Sequence, residues 1–321
     1  MIVLWLLVIL ASVAAIVWGA ETFAEHLGAA AVRLRISLFA LSLLLAGAEP
    51  EELATAVAAA LKDVPGIAFG DVIGANIAIC LVALGVGALI APLPFGKQVR
   101  RYALLSLPLG VIATVFVWDG RVDRLEGGLL VGLYVLYVAI IWVMERRPPA
   151  LGETEELAEA QAKLTATETS RSQSRVGRDL LLVLAGVIAM AVGATLLVEA
   201  VRQISSVEAT QTKLGLTLVG FATAFELVIL AWSAARRGVS EAVVAGVVGS
   251  FAYNVTMTLG AAAIARPLQI LDVTSLHTPL LLMLASLVLV LVLAVPKGSL
   301  NRLAGGLLVA AYPLVVIAML F

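Results

Sequence analysis

The hydrophobic residues of this chain fall into ten long runs that are separated by short polar segments. A helix that crosses a bilayer needs about 20 predominantly apolar residues, so runs of this length predict membrane-spanning helices. Most of the runs contain no charged residue. The predicted spans cover residues 1–19, 36–60, 72–91, 102–118, 127–144, 179–201, 214–235, 242–265, 278–296 and 303–321.

Acidic residues interrupt the second and the seventh of these runs. The stretch LLLAGAEPEELATA, residues 43–56, carries Glu49, Glu51 and Glu52 around a proline, and the seventh run carries Glu226. A charged side chain at the membrane centre costs roughly 2.5–3.5 kcal/mol on insertion scales, and proline breaks a helix. The pattern therefore predicts two helices that are broken at mid-membrane and that carry functional carboxylates.

The composition is that of a polytopic membrane protein. Of the 321 residues, 62% are hydrophobic and 13% are charged, whereas soluble domains average about 25% charged residues. The net charge of −1 gives no reason to expect a nucleic-acid partner, and a single cysteine excludes an intrachain disulfide. The sequence has neither an H-E-x-x-H zinc motif nor a Walker motif, which argues against a zinc protease and an ATP-driven pump. We expect an all-α membrane protein that is not an enzyme.

The distribution of basic residues predicts how the spans are oriented. Loops on the cytoplasmic side of a membrane carry an excess of lysine and arginine. With the N-terminus outside, the inside segments hold 15 of the 21 basic residues and the outside segments hold 6. Both termini should then lie outside, and the polar segment 146–178, with a short surface helix at 153–164, should be cytoplasmic. The compact loops favour a prokaryotic plasma membrane.

The chain repeats itself at an offset of about 175 residues. This offset places Glu51 on Glu226, and the stretch 70–85 on the stretch 245–260. Spans one to five therefore recur as spans six to ten. Because five is an odd number, the second copy enters the membrane from the opposite side.

The predicted architecture is ten transmembrane helices in two inverted five-helix repeats, with helices 2 and 7 broken. The first repeat covers residues 1–145, a polar cytoplasmic linker covers 146–178, and the second repeat covers 179–321. Secondary transporters are often built in this way, with ions bound near the midplane where broken helices meet. The pseudo-two-fold axis would bring Glu51 toward Glu226, and carboxylates beside freed backbone carbonyls suit a hard cation.

The motifs around these acids resemble those of the sodium/calcium exchanger family, within the cation/calcium exchanger superfamily. That family carries in each half a signature that reads roughly G-T-S-x-P-E on a broken helix, followed by G-S-N-x-x-N on the next helix. In the first half, AGAEPE at 46–51 keeps the proline and Glu51, but has glycine and alanine where threonine and serine are usual. GANIAI at 74–79 keeps its first asparagine, but has Ile79 where a cation-binding asparagine is usual.

The second half keeps more of the family pattern. FATAFE at 221–226 keeps Glu226 and has Thr223 in place of serine, while phenylalanine replaces the proline. GSFAYN keeps Ser250 and ends on Asn254, which occupies the polar ligand position. One half-site is nearly complete by this comparison, whereas the other keeps only its glutamate.

The resemblance implies the ten-span fold and a set of cation ligands near the middle of the membrane. These ligands are Glu51, Glu226, Thr223, Ser250 and Asn254. Glu49 lies within one helical turn of Glu51 and is a further candidate, since it could supply an oxygen that the first half lacks. Asp71 is a weaker candidate, and Glu52 is expected to be solvated.

The polar residues of the second half also have structural alternatives. Asn254 could hydrogen bond between helices instead of binding an ion. The hydroxyls of Thr223 and Ser250 could instead satisfy nearby backbone carbonyls. The sequence leaves these alternatives open.

The function that the resemblance implies is secondary antiport, with sodium/calcium exchange by alternating access and no organic cofactor. The transported ions would be Ca²⁺ and Na⁺, or H⁺. A sodium/proton or other cation/proton exchanger of the same fold is an alternative, because the missing first-half ligands favour fewer ion sites and a buried glutamate could carry a proton. A non-transporting membrane cation sensor or accessory protein is a second alternative. The expected partners are inorganic cations and the lipid bilayer, and the oligomeric state stays open, with a monomer as the simplest expectation.

Overall fold

The computed structural model is almost entirely helical over the residues that it describes, which are 2–33, 49–145, 173–237 and 241–320. Nine helical segments within these ranges are long and apolar enough to cross a membrane. They match nine of the ten predicted spans. The remaining span, 36–60, is described only from residue 49 onward, and the surface helix predicted at 153–164 lies outside the described residues.

The elements of the first half alternate long helices with short connections. They are α1 (Ile2–Arg33), α2 (Pro50–Leu61), α3 (Pro65–Ala78), a π-helical turn (Ile79–Ala83), α4 (Leu84–Ile90), β1 (Leu93–Pro94), α5 (Lys97–Val117), β2 (Arg121–Val122) and α6 (Arg124–Glu145). Helix α1 continues well past the predicted end at residue 19, because polar residues such as Glu21 end the apolar run but are good helix formers.

The elements of the second half are α7 (Gln173–Ile204), α8 (Glu208–Leu214), a π-helical turn (Gly215–Val219), α9 (Gly220–Thr223), α10 (Phe225–Arg237), α11 (Glu241–Tyr253), a π-helical turn (Asn254–Thr258), α12 (Leu259–Ala265), β3 (Leu268–Gln269), α13 (Thr274–Ala294), β4 (Ser299–Leu300) and α14 (Arg302–Leu320). From α11 onward, the second half repeats the order that the first half shows from α3 onward, which is helix, π-helical turn, helix, strand, helix, strand and helix.

Two helices begin inside the bundle, α2 after Glu49 and α10 after Ala224. Pro50 is the first residue of α2, a position where proline is tolerated because its missing N–H has no partner in the helix. Glu49 precedes it with non-helical dihedral angles, φ −96° and ψ 79°. In the second half, Ala224 separates α9 from α10 with φ −72° and ψ −5°. The seventh span is therefore interrupted at Ala224, one residue before the position of the missing proline.

Glycines bring the two site-bearing segments into backbone contact. A Cβ atom on Gly74 would lie 2.2 Å from the carbonyl oxygen of Leu216, and one on Gly70 would lie 2.6 Å from the nitrogen of the same residue. A Cβ atom on Gly220 would lie 2.6 Å from the nitrogen of Ala75. Small residues allow helices to approach this closely in membranes. Helix α3 of the first half thus packs closely against the π-helical turn at 215–219 and the start of α9 in the second half.

Short antiparallel strand pairs tie the two halves together. β1 pairs with β4 through Leu93 and Leu300, and β2 pairs with β3 through Val122 and Leu268. β1 and β3 begin 175 residues apart, as do the π-helical turns that begin at Ile79 and at Asn254. Each strand therefore pairs with the other half and not with its own.

Helices α1 and α7 form a pair at the side of the bundle. They approach closely at small residues, since a Cβ atom on Gly19 would lie 2.8 Å from the carbonyl oxygen of Gly186, and one on Gly193 would lie 2.9 Å from that of Ser12. Their outer faces carry exposed large side chains such as Leu10, which suits contact with lipid. The pair touches α2 on its inner side.

Candidate functional site

Four acidic side chains of the first half are buried in the middle of the bundle. Glu49 is 4% exposed, Glu51 1%, and both Glu52 and Asp71 are fully buried. The prediction that Glu52 is solvated is wrong. Helix α2 begins inside the bundle, directly after Glu49. Neighbouring helices therefore enclose its first turn, including Glu52, and shield it from solvent.

The first interaction across the two halves joins Glu49 to Ser250. The hydroxyl of Ser250 donates a short hydrogen bond to Oε1 of Glu49, and a second, weaker one of 3.4 Å to the carbonyl oxygen of Gly246. Ser250 lies on α11 of the second half, the counterpart of α3. Glu49 directly precedes α2 of the first half. The structure therefore brings together two predicted ligands that the sequence separates by 201 positions.

Glu51 lies within electrostatic range of Glu226, the residue to which the repeat relates it, and also of Glu49. Glu226 lies in the first turn of α10, directly after the second break, and is half-buried. In each half the carboxylate belongs to the second residue of its helix, which is Glu51 in α2 and Glu226 in α10.

The second interaction across the halves joins Thr223 to Asp71. The hydroxyl of Thr223 donates a hydrogen bond of 2.9 Å to Oδ1 of Asp71, and also lies 3.2 Å from the carbonyl oxygen of Val219. The expected backbone role of Thr223 and a side-chain role are therefore both present. Asp71, a weaker candidate in the sequence, occupies the centre of the site because it lies on the glycine face of α3 that meets the broken helix.

The third interaction is a pair of amides. Nδ2 of Asn254 donates to Oδ1 of Asn76 at 3.3 Å, and the hydroxyl of Thr258 donates to Oδ1 of Asn254 at 3.4 Å. Nδ2 of Asn76 points to the sulfur of Met283 at 3.8 Å. Asn254 thus forms a hydrogen bond between helices, as the structural alternative predicts, and it also lies near the buried acid Glu52. Sequence reasoning missed Thr258 and Met283. The helical spacing of four residues between Asn254 and Thr258 was a signal for Thr258, whereas Met283 had none.

The first half places an apolar residue where the second half has an amide. Ile79 is fully buried at the first position of its π-helical turn, and Asn254 holds the same position in the corresponding turn. This agrees with the sequence analysis, which found no polar ligand at that point. The oxygen atoms that the first half contributes come instead from its acids.

The donor set suits a hard cation. Carboxylate, hydroxyl and amide oxygens are the ligands that such cations prefer. Among the side chains that the structure describes, no lysine or arginine is buried. The described residues also contain no group of three or more histidine, cysteine, aspartate or glutamate side chains that could hold a metal ion.

The chain matches a known protein family over most of its length. The family model described as "Sodium/calcium exchanger protein" matches residues 4–143 and 179–321, which is nearly the whole chain. The chain belongs to the sodium/calcium exchanger family. The two matched blocks leave out the segment between the predicted repeats.

Individual relatives of this exchanger-family chain are distant in sequence, although several match it over nine-tenths of its length or more. It is 24% identical to the sodium/calcium exchanger MaX1 of Methanosarcina acetivorans, over 91% of each chain. It is 24% identical to the putative antiporter CaxA of Alkalimonas amylolytica, over 95% of each chain. The inner membrane protein YrbG of Escherichia coli is 27% identical over 70% of this chain and 68% of its own.

The fold of this family member matches solved exchanger structures. The sodium–calcium exchanger NCX_Mj, soaked with Na⁺ and Sr²⁺, superposes with a TM-score of 0.60 at 22% identity, over 99% of each chain. At this identity the likeness establishes the fold alone. The ligand roles therefore have to be argued from the residues of this chain.

Proposed function

We propose that this chain is a secondary antiporter that exchanges calcium for sodium across a membrane by alternating access. The observation that carries the proposal is the burial of Glu51 near the start of α2, within electrostatic range of Glu226 near the start of α10 in the other half. A buried carboxylate needs a counter-charge, which a bound cation would supply, and no lysine or arginine is buried among the side chains that the structure describes. Family membership gives the class of cation.

The proposed ligands of the transported cation are the six residues taken from the sequence. They are Glu51, Glu226, Glu49, Ser250, Thr223 and Asn254. The carboxylates would neutralise the ion, while the hydroxyls and the amide would complete its oxygen shell and replace its water. The hydrogen bonds that now hold Ser250 on Glu49 and Thr223 on Asp71 keep these oxygens close together before an ion arrives.

The proposed architecture is ten spans in two inverted repeats, at 1–145 and 179–321, with both termini outside. The π-helical turns at Ile79 and Asn254 and the strands β1 and β3 recur at an offset of 175, and this recurrence supports the repeat. The strand pairs support inversion, because β1 with β4 and β2 with β3 are the cross pairs that a two-fold axis between the halves would produce. The excess of basic residues on the predicted inside segments supports a cytoplasmic linker at 146–178. The compact loops and the prokaryotic relatives support a prokaryotic plasma membrane.

The proposed motion is a displacement of α1 and α7 against the other helices. The two helices pack on each other through close glycine contacts, and none of the six proposed ligands lies on either of them. They could therefore slide or rock as a unit and open the site to each side in turn without taking the ligands apart.

Cation/proton exchange is a second candidate, and one observation favours it. Ile79 is buried at the place where the second half has Asn254, so the first half provides fewer neutral oxygen ligands. Fewer ligands favour fewer bound ions per cycle, and a buried carboxyl group is able to carry a proton in place of a sodium ion.

The test is calcium uptake into proteoliposomes that contain the full chain. Uptake would be measured with an outward sodium gradient, with an outward proton gradient and with neither, for the wild type, Glu51→Gln and Glu226→Gln. Glu126→Gln is the matched control, because this helix-end glutamate accepts a backbone hydrogen bond from Asp123, which glutamine can still accept.

The outcomes separate the candidates. Uptake that needs sodium, is lost in both site variants and survives in Glu126→Gln supports sodium/calcium exchange. Uptake that only protons drive supports the cation/proton candidate. The absence of calcium flux under every gradient contradicts calcium as the substrate, and calcium binding without any flux would favour the cation sensor.

A further inference from the structure

The β1–β4 strand pair joins two segments that come from different halves of the chain. Beyond the strands, the backbone N–H of Phe95 donates a hydrogen bond of 2.9 Å to the carbonyl oxygen of Gly298. Helix α5 begins two residues after Phe95, and α14 begins four residues after Gly298. The starts of these two helices therefore lie close together. We call the strand pair with its flanking segments, 91–101 and 295–302, the β1–β4 joint.

This joint is strongly basic. Its two segments contain five basic residues and no acidic residue. Four of the five side chains are exposed, and the side chain of Arg101 is half-buried. Lys97, Arg100 and Lys297 form no ion pair with a residue that the structure describes. This unbalanced charge suits an anionic ligand. The five basic residues are Lys97, Arg100, Arg101, Lys297 and Arg302.

The β2–β3 strand pair provides an internal comparison, because it also joins the two halves. The segments that lie at the same distances from its strands are 117–124 and 266–276. They contain three acidic and three basic residues, so their charges cancel. One of the basic residues, Arg266, is paired with Asp63 at 2.8 Å. A strand pair of this kind therefore forms without a basic surface, and the fold does not require the charge of the β1–β4 joint.

Membrane insertion does not explain where these charges lie in space. An excess of lysine and arginine orients a membrane protein through the number of charges in each loop. That effect does not require charges from two distant loops to lie beside each other. The hydrogen bond between Phe95 and Gly298 nevertheless brings the segment of Lys97 next to the segment of Lys297. The tertiary structure thus builds one basic surface to which each half contributes.

An apolar surface that faces lipid lies directly beside the basic residues. Helices α4 and α14 pack closely along a seam, since a Cβ atom on Gly305 would lie 2.7 Å from a backbone oxygen of α4. Leu89 and Leu303, at one end of this seam, are 42% and 79% exposed. At the same end, the guanidinium group of Arg302 donates a 3.1 Å hydrogen bond across the seam to the carbonyl oxygen of Ile90. Positive charge thus lies at the edge of an exposed apolar surface.

A ligand that matches both surfaces must combine negative charge with apolar chains. An anionic phospholipid does so through its phosphate group and its acyl chains, whereas soluble phosphate has the charge alone. Arginine binds phosphate oxygens through paired N–H groups, and lysine binds them as a point charge. Basic pockets between transmembrane helices on the cytoplasmic side are typical sites for such head groups. A zwitterionic lipid carries an ammonium group that the basic residues would repel.

We propose that the β1–β4 joint binds the head group of an anionic phospholipid, and that the acyl chains of this lipid lie along the seam between α4 and α14. The head group contacts Lys97 and Arg100 from the first half, and Lys297 and Arg302 from the second. The bound lipid therefore ties the halves together at this end of the bundle and stabilises their packing. This inference goes beyond the proposed function and does not depend on which ions are transported.

The test is native mass spectrometry of the purified full chain in detergent, titrated with phosphatidylglycerol or, separately, with phosphatidylcholine of the same acyl chains. The variant is Lys97→Gln combined with Lys297→Gln, which removes one charge from each half and keeps the hydrogen bond of Arg302. The matched control is Arg121→Gln combined with Arg124→Gln, which removes two charges beside the β2–β3 pair. In detergent, lipid reaches both strand pairs, so the orientation of the chain in a membrane does not affect the comparison.

We expect the wild type to bind phosphatidylglycerol about tenfold or more tightly than phosphatidylcholine. The variant of Lys97 and Lys297 should bind phosphatidylglycerol about tenfold or more weakly than the wild type, because two charges near the head group are lost. The control variant should bind it as the wild type does. High ionic strength should weaken the binding by the wild type, since exposed charges are screened.

Thermal unfolding of the same samples measures the tie between the halves. Phosphatidylglycerol should raise the unfolding temperature of the wild type and of the control variant, and should raise that of the variant of Lys97 and Lys297 less. Inorganic phosphate at the same concentration should have little effect. An equal rise with phosphate would show that a small anion fills the site, and would overturn the lipid assignment.

Should the double variant fail to fold, Lys97→Gln and Lys297→Gln are measured singly, because each side chain is exposed. Equal binding of the two lipids by the wild type overturns the proposal, as does unchanged binding of phosphatidylglycerol by the variants. An equal loss in the control variant also overturns it, because the attraction would then be general to positive charge. These measurements use no ion gradient, so a failure of the proposed transport function is detected separately and leaves this inference standing.

Discussion

The hydroxyl of Ser250 donates a hydrogen bond to Oε1 of Glu49, across 201 positions of sequence. The two residues come from different halves of the chain, and both are buried. At the offset of 175 their counterparts are Ala75 and Ala224, which have no polar atom in their side chains. The interaction therefore makes the site asymmetric, although the helices that carry it recur.

We predict that Glu49 and Ser250 act as one unit in cation binding. Ser250→Ala and Glu49→Gln should each weaken calcium affinity, by about 1.5–3 kcal/mol for the loss of a hydrogen bond to a charged group. The double variant should cost clearly less than the sum of the two single variants, since both remove the same interaction. Calcium affinities of the four proteins check this, and strict additivity would show that the two residues act separately.

We predict that the glycine contact between α3 and the broken helix cannot accept a methyl group. In Gly74→Ala the new Cβ atom would lie 2.2 Å from the backbone oxygen of Leu216, so helices must move apart. Overpacking of this kind costs about 1–3 kcal/mol. The unfolding temperature in detergent and calcium transport should both fall.

Gly132→Ala is the matched control for this substitution. Gly132 lies within α6, and a methyl group added to it would have no atom of the described residues within 4 Å. Alanine there should leave the unfolding temperature equal or raise it, because alanine favours a helix by about 0.8–1.0 kcal/mol over glycine. Equal effects of the two substitutions would contradict the close-approach explanation.

An ion pair at the edge of the bundle links α7 to the site-bearing helices. Nζ of Lys62, directly after α2, lies 3.1 Å from Oε2 of Glu199 on α7. We predict that Glu199→Gln speeds exchange by up to about fivefold, because an exposed pair contributes about 0–1 kcal/mol to the conformation that it holds. The effect should shrink at high ionic strength, where exposed charges are screened.

Asp63→Asn provides the control for that prediction. Asp63 and Arg266 form a more exposed ion pair at 2.8 Å, and neither residue lies on α1 or α7. Asparagine also tolerates the left-handed backbone of Asp63, where φ is 61°. Exchange rates measured in proteoliposomes should change in Glu199→Gln alone, and equal changes would argue against a link to the motion of α7.

The proposed orientation can be tested through the single cysteine. Cys80 is buried, so Cys80→Ala gives a background without reactive thiols. In intact cells, a membrane-impermeant maleimide should label Leu271→Cys, whose side chain is 85% exposed in a loop predicted outside. Ser170→Cys, in the linker, should react only after the membrane is permeabilised. The opposite labelling pattern would reverse the proposed topology.

The spans were predictable from the sequence because membrane insertion depends on local composition. Apolar runs of the right length predicted nine helices that the structure contains within its described residues. The bounds were less accurate, as α3 begins at Pro65 and not at residue 72. A hydropathy pattern measures transfer into lipid, whereas proline and the hydrogen bonding of the backbone decide where a helix starts.

The candidate site was predictable only in part. The repeat identified Glu51 and Glu226 as partners, because a fixed offset in sequence corresponds to a symmetry operation in space. The prediction from the sequence that Glu52 is exposed to solvent was wrong. Burial depends on which neighbouring helices cover a turn, and one span contains no information about its neighbours.

The sequence by itself determined the membrane class, the nine confirmed spans and the family, since these depend on local hydropathy and on motifs within single helices. The tertiary structure alone decided which polar groups meet. It placed Ser250 on Glu49 and Thr223 on Asp71, and it enclosed Glu52 inside the bundle. Hydrogen bonds act over about 3 Å, so these contacts depend on how closely glycines let α3 approach the broken helix, and that distance is set only when the two halves pack.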